Sequence, residues 1–202
     1  MGGVQTIGSA VTGVGGQTGV KSGTLPDEYV ALRYTGYTSN ANAASRAAIA
    51  EDIKVGSLVC YDDVTGTSGT PLAPTSSAPG DRLERIPGMD VTQPATALLD
   101  RCAGVVVEVP KGSERGGIIH VAKASQSIKV RLTKGSAVAV GDIFKPANAS
   151  FVGVVHTFAI TDAATTAASI RQAVVEAVET TSGAVTDSLV TCRGRPFAGC
   201  SF

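Results

Sequence analysis

The feature that most constrains this chain is a succession of short valine-rich runs between Val55 and Phe144, separated by glycine, proline and aspartate turn signals. Apolar runs this short, recurring about every dozen residues, are the pattern of an all-β barrel or sandwich rather than of long helices. Val55-Gly56-Ser57-Leu58-Val59-Cys60-Tyr61 reads as a strand closed by Asp62-Asp63 and Thr65-Gly66. Cys102 to Val109 and Gly117 to Ala122 follow as two more, joined through the Pro110-Lys111-Gly112 turn. In Ile128-Lys129-Val130-Arg131-Leu132 the apolar and basic residues alternate strictly, so one face enters a core and the other meets water. Ser136 to Phe144 is read as a further strand.

The flanks have a different texture. Residues 1 to 28 are glycine-laden and carry no apolar periodicity. Such a stretch buries too little to offset an ordering cost of about 1–2 kcal/mol per residue, so a partner surface is expected to order it. Tyr29 to Tyr37 suits a strand or extended arm, and the alanine-rich 41–52 a short helix. Residues 65–80 form a Thr/Ser/Pro/Gly loop. For Thr161 to Glu179 two readings stand: one helix capped by Thr161, or a short helix near 162–169 before a strand from Arg171 to Thr180, the latter preferred. Ala173 to Glu179 echoes Val105 to Val109, and Leu189-Val190-Thr191-Cys192 answers Ile118-Ile119-His120-Val121. The echo predicts two β-hairpins but is too short to define an internal repeat.

Charge excludes some functions. Seventeen basic residues balance seventeen acidic ones, which argues against nucleic-acid binding by phosphate neutralisation and against a polybasic membrane anchor. No run approaches the roughly 20 apolar residues of a transmembrane helix. The first residues lack the basic and apolar regions of a signal peptide, so the four cysteines are expected as thiols, with Cys192–Cys200 the one pair close enough in sequence to bridge a short loop. Only 17% of residues are charged. A neutral, weakly charged surface suits a chain that lives in an assembly.

Candidates for chemistry are few. Gly15-Gly16-Gln17-Thr18-Gly19-Val20-Lys21-Ser22 approximates a phosphate loop, but Val20 stands where glycine is needed and no strand or helix flanks it. His120 and His156 are the only imidazoles; a hydrolase would have to pair one with Cys60 or Cys102, and no helix follows Cys102 to lower its thiol pKa. His120, between Ile119 and Val121, is expected to face outward. Asp62-Asp63 and Gly141-Asp142 read as aspartates capping turns, not as metal ligands. No catalytic, cofactor or metal site is assigned.

The order of segments resembles a known family. Lys54-Val55-Gly56-Ser57-Leu58-Val59 is followed by Ala103-Gly104-Val105-Val106-Val107-Glu108, then Ile128-Lys129-Val130-Arg131-Leu132, then Val138-Ala139-Val140-Gly141-Asp142-Ile143-Phe144-Lys145-Pro146, and Phe151-Val152-Gly153-Val154. This is similar to the capsid decoration (cement) proteins of tailed bacteriophages, over roughly residues 53–197. The resemblance implies a virion protein made in the host cytoplasm that binds the major capsid protein on the outside of an icosahedral shell. It also implies attachment at capsomer junctions as a homotrimer, without enzymatic activity, cofactor, nucleic acid or membrane. The competing readings are another virion component (head-fibre base, minor capsid or tail subunit) and a Cys- or metal-dependent hydrolase. The expected fold is all-β, a mainly antiparallel small barrel or sandwich, with an extended Gly-rich N-terminal arm and one or two short helices. The expected boundaries are 1–52 for the arm and 53–202 for the barrel-like domain, with a loop insertion near 65–100. Ile7, Val11, Val14, Val20, Leu25, Tyr29, Tyr34 and Tyr37 are the candidate partner-binding residues of the arm.

Overall fold

The computed structural model describes residues 29–38, 47–62, 88–122, 127–158 and 162–195. The fold is all-β, as expected, but it is built as two closed five-stranded barrels rather than one. The first contains β1 (Tyr29–Tyr34), β2 (Leu58–Tyr61), β3 (Asp90–Thr92), β4 (Cys102–Glu108) and β5 (Gly117–Ala122), in the order β1-β3-β2-β4-β5. The second contains β6 (Ile128–Ala137), β7 (Ile143–Pro146), β8 (Gly153–Val155), β9 (Val175–Ala177) and β10 (Ala184–Gly194). One helix, α1 (Ala163–Gln172), joins β8 to β9.

The two barrels are the same fold repeated. In each, the first strand runs parallel to the third and antiparallel to the fifth; the second is antiparallel to the third and fourth, and the fourth to the fifth. Registers agree residue by residue. Leu58 faces Val105 as Ile143 faces Glu176, Val106 faces Val121 as Ala177 faces Cys192, and Leu32 faces Ile119 as Val130 faces Val190. The two hairpins foreseen from the echo are therefore real, and Ile118-Ile119-His120-Val121 matches Leu189-Val190-Thr191-Cys192 position for position.

A shared turn opens the second strand of each barrel. Gly56 and Gly141 both take left-handed backbone, with φ of +87° and +91°. The Ser57 hydroxyl accepts from the Lys54 amide at 3.1 Å, and the Asp142 carboxylate accepts from the Ala139 amide at 2.8 Å. The aspartate caps its turn as the sequence implied. This turn also splits the run from Ser136 to Phe144: Ser136 and Ala137 end β6, the chain reverses at Val138–Asp142, and only Ile143 and Phe144 enter β7.

Strand burial explains the two textures of the sequence. β6 alternates because one face is solvated. β2 and β4 read as unbroken apolar runs because both faces are covered. Val59, Val106 and Val121 point into the first barrel, whereas Leu58, Cys60, Val105 and Ala122 join the core of the second. The barrels also interlock. Phe151, from the β7–β8 connection, is buried in the core of the first barrel, edge-on to Tyr34 with ring centroids 5.8 Å apart. Its carbonyl accepts from the Leu58 amide at 2.8 Å.

Three boundaries need correction. β1 closes the first barrel by pairing along its whole length with β5, so the barrel begins at Tyr29 and the arm does not extend to residue 52. Ile49 and Ile53 are also core residues. The helix expected over 41–52 is absent from its described part, 47–52, where Ala48 bridges to Tyr37. The insertion near 65–100 is partly barrel: β3 lies within it, and Val91 and Leu98 are fully buried. In the last quarter, the helix-then-strand reading holds, with Gln172 ending the helix and β9 reduced to Val175–Ala177. The Thr161 cap lies outside the described residues.

Candidate interaction surface

The repeat gives equivalent positions, and equivalent exposed side chains follow from it. Ile118 on β5 and Leu189 on β10 occupy the same register position and are exposed to nearly the same degree, 47% and 46%. Both stand opposite an arginine, Arg33 and Arg131. Val55 and Val140 precede the left-handed glycines of the two shared turns and are 44% and 64% exposed. A large aliphatic side chain left in water at both copies of a position is a surface feature carried by the fold.

The two turns have different neighbours. That of the first barrel is clamped on the second: the Arg131 amide donates to the Gly56 carbonyl at 2.8 Å, and the Arg131 guanidinium to the Val55 carbonyl at 3.0 Å. The guanidinium also bonds Asp187. In the first barrel the corresponding Arg33 is committed within its own barrel, its amide to the Met89 carbonyl and its guanidinium to the buried Asp90 at 2.6 and 2.7 Å. A Cβ at Gly141 would meet nothing within 4 Å, and this turn bonds within its own barrel, the Gly141 amide donating to the Ala177 carbonyl and the Ala177 amide to the Asp142 carbonyl, both at 2.9 Å. One turn is thus bonded to the other barrel, while the second bonds within its own barrel and leaves the outer side of its glycine open.

The repeat extends to one acid. Glu108 contacts His120 Nδ1 at 2.6 Å, and Glu179, at the equivalent position, accepts from the amide and hydroxyl of Thr191 at 2.6 and 2.7 Å. The Thr191 bonds, with help from Lys129, hold the Glu179 carboxyl below its ordinary range. Lys129 reaches Glu179 at 3.1 Å. Both acids therefore tie the fourth strand to the fifth.

Of the residues singled out from sequence, Tyr34 is not a surface residue. It is 1% exposed in the first barrel core, its hydroxyl lacks a hydrogen-bond partner among the described residues, and burial, ahead of Glu51 and Asp52, pushes its pKa up to about 12. Tyr29 is half-buried against the shared core, and Tyr37 is exposed. Ile7, Val11, Val14, Val20 and Leu25 lie outside the described residues, as do the Gly15–Ser22 segment, Asp63 and Cys200. His120 faces outward, as alternation required. Cys60, Cys102 and Cys192 are buried thiols; burial, with Glu179 nearby, raises Cys192 to about 12, which leaves it protonated and a poor nucleophile. Among the described residues no three His, Cys, Asp or Glu side chains are grouped to hold a metal ion, and no helix is long and apolar enough to cross a membrane.

The paired positions Ile118 and Leu189 were missed in sequence because each looked like an ordinary strand residue. The usable signal was the recurrence of Val-Gly-Ser/Asp-aliphatic at Val55 and Val140, which aligns the two halves. The chain matches no known family model, no curated protein and no solved structure.

Proposed function

We propose that the protein is a structural component of a phage virion, a cement protein that binds the outside of an icosahedral shell at junctions between capsomers and stabilises it. One observation supports the reading above the others: two interlocked barrels carry the same exposed aliphatic position twice on one body. A shell repeats one subunit many times, so a ligand bearing two equivalent contact positions suits a junction where two copies of that subunit meet. Linking two contacts makes the second intramolecular, so overall affinity can exceed either contact alone by a factor of about 10²–10⁴ without new chemistry. The near-neutral, weakly charged composition fits permanent residence in an assembly. The partner is the major capsid protein, and the stoichiometry expected from the family resemblance is a trimer.

The experiment is to add purified protein to undecorated, expanded shells and follow shell melting by calorimetry. The expected result is saturable binding and a higher shell melting temperature. Ile118→Asp or Leu189→Asp should weaken attachment, and the double variant should abolish it. Shells that neither bind the protein nor melt later in its presence would overturn the proposal.

A further inference from the structure

His156 follows β8 and is only 7% exposed, yet neither ring nitrogen has a hydrogen-bond partner among the described residues. Its edge meets the Phe158 ring at 4.6 Å between centroids, and the Arg195 guanidinium lies over the same ring at 5.9 Å. Among the described residues Arg195 Nη1 is likewise buried without a hydrogen-bond partner. Each unpartnered buried polar group costs about 1–3 kcal/mol, and here three nitrogens are left so around one phenyl ring.

The charges around the imidazole all have one sign. Burial first, then Lys145 and Arg195, hold its pKa below the ordinary histidine value, and the Ser169 backbone works the other way. Among the described residues no carboxylate figures among the groups acting on the ring. A guanidinium over the same phenyl ring as the imidazole opposes a metal ion, which would need those nitrogens as ligands and would be repelled by it. It favours the opposite ligand. A single oxyanion can accept from a guanidinium and an imidazole together, in charge-assisted bonds of about 2.7–2.9 Å.

We propose that His156 and Arg195, around Phe158, form a binding site for a small oxyanion, the phosphate or carboxylate of a ligand or of a partner's side chain. His156 is the donor at the back of the site, Arg195 the lateral fork stacked on Phe158, and Lys145 the source of long-range attraction. The anion replaces missing hydrogen bonds rather than competing with existing ones. Its negative charge favours the imidazolium, so binding takes up a proton and grows stronger as pH falls toward the histidine range. This site is independent of the capsid reading and stands or falls separately.

The test uses the full chain with ¹³C-labelled histidine, followed by NMR at constant ionic strength. Inorganic phosphate is titrated in one arm and acetate in another, with sodium chloride as the balancing salt. The expected result is a saturable shift of the His156 ring signals with a rise in its pKa, while the exposed His120 serves as internal reference. Saturation by phosphate alone identifies a phosphate group as the ligand, by acetate alone a carboxylate, and by both a general oxyanion site. Arg195→Gln should weaken binding at least tenfold, with the amide spectrum confirming the fold; Lys145→Gln gives a smaller loss and serves if Arg195→Gln fails to fold. A linear response in both arms, an equal response at His120, or binding unchanged in a folded variant would overturn the assignment.

Discussion

Gly56→Ala and Gly141→Ala are a matched pair, because the two glycines occupy the same turn in the two barrels with φ of +87° and +91°. Alanine in left-handed backbone costs about 1–2 kcal/mol at either position. Only Gly56 faces the other barrel. A Cβ there would stand 2.5 Å from Leu189 Cδ2 and 3.2 Å from the Arg131 amide nitrogen, whereas at Gly141 it would meet nothing within 4 Å. Leu189 is half exposed and can turn aside, but the Arg131 amide is fixed by its 2.8 Å bond to the Gly56 carbonyl. Overpacking against such a neighbour adds about 1–3 kcal/mol. In a chain of this size each kcal/mol lowers the melting temperature by about 2–4 °C. Gly141→Ala should therefore melt about 2–8 °C lower than the parent, and Gly56→Ala a further 2–12 °C or so below that. Thermal unfolding by circular dichroism reads both. Adding Leu189→Ala should recover part of the Gly56→Ala loss and none of the Gly141→Ala loss. Equal destabilisation by the two alanines would refute the one-sided clamp between the barrels.

Further outcomes follow from single contacts. Phe151→Ala, in the second barrel's chain but the first barrel's core, should cost about 3–5 kcal/mol in urea unfolding and shift the Tyr34 fluorescence transition along with the whole. A two-step melt in the parent would contradict the interlock. Asp90→Ala removes two charge-assisted bonds from Arg33, whose side chain stays partly in water, and should cost about 1.5–3 kcal/mol, against near-neutral effect for Asp52→Ala in the exposed pair with Arg115. The depressed pKa of His156 means the unfolded chain takes up its proton first. Stability should be full above about pH 6.5 and fall as pH drops through the lowered folded value, and His156→Gln should flatten that limb in melts taken between pH 7.5 and 5. Glu179 acts in the same direction at lower pH: its folded pKa is depressed, so its contribution is present above the carboxylate range and lost on acidification, and Glu179→Gln should remove that step.

Local sequence determined much of the β framework. The alternation in Ile128 to Leu132 set which side of β6 is dry, the Asp142 turn cap was legible from Gly141-Asp142, and His120 faced water because its neighbours Ile119 and Val121 did not. The helix before β9 was readable from the alanine-rich stretch ahead of Ala173 to Glu179. Tyr34 misled, because a tyrosine beside an arginine in a glycine-flanked segment looks like an arm residue until β5 pairs with its strand along the full length. Phe151 gave no hint that it crosses to the neighbouring barrel. The exposed pair Ile118 and Leu189, the clamp at Gly56 and the unpartnered imidazole of His156 depend on segments that meet only after folding. Periodicity and turn chemistry act over a few residues, so the chain alone specifies strands, their wet and dry faces, and their turns. Closing those strands into two copies of one barrel, and covering both faces of β2 and β4 between them, depends on contacts between residues far apart in sequence, and only the tertiary structure decides those.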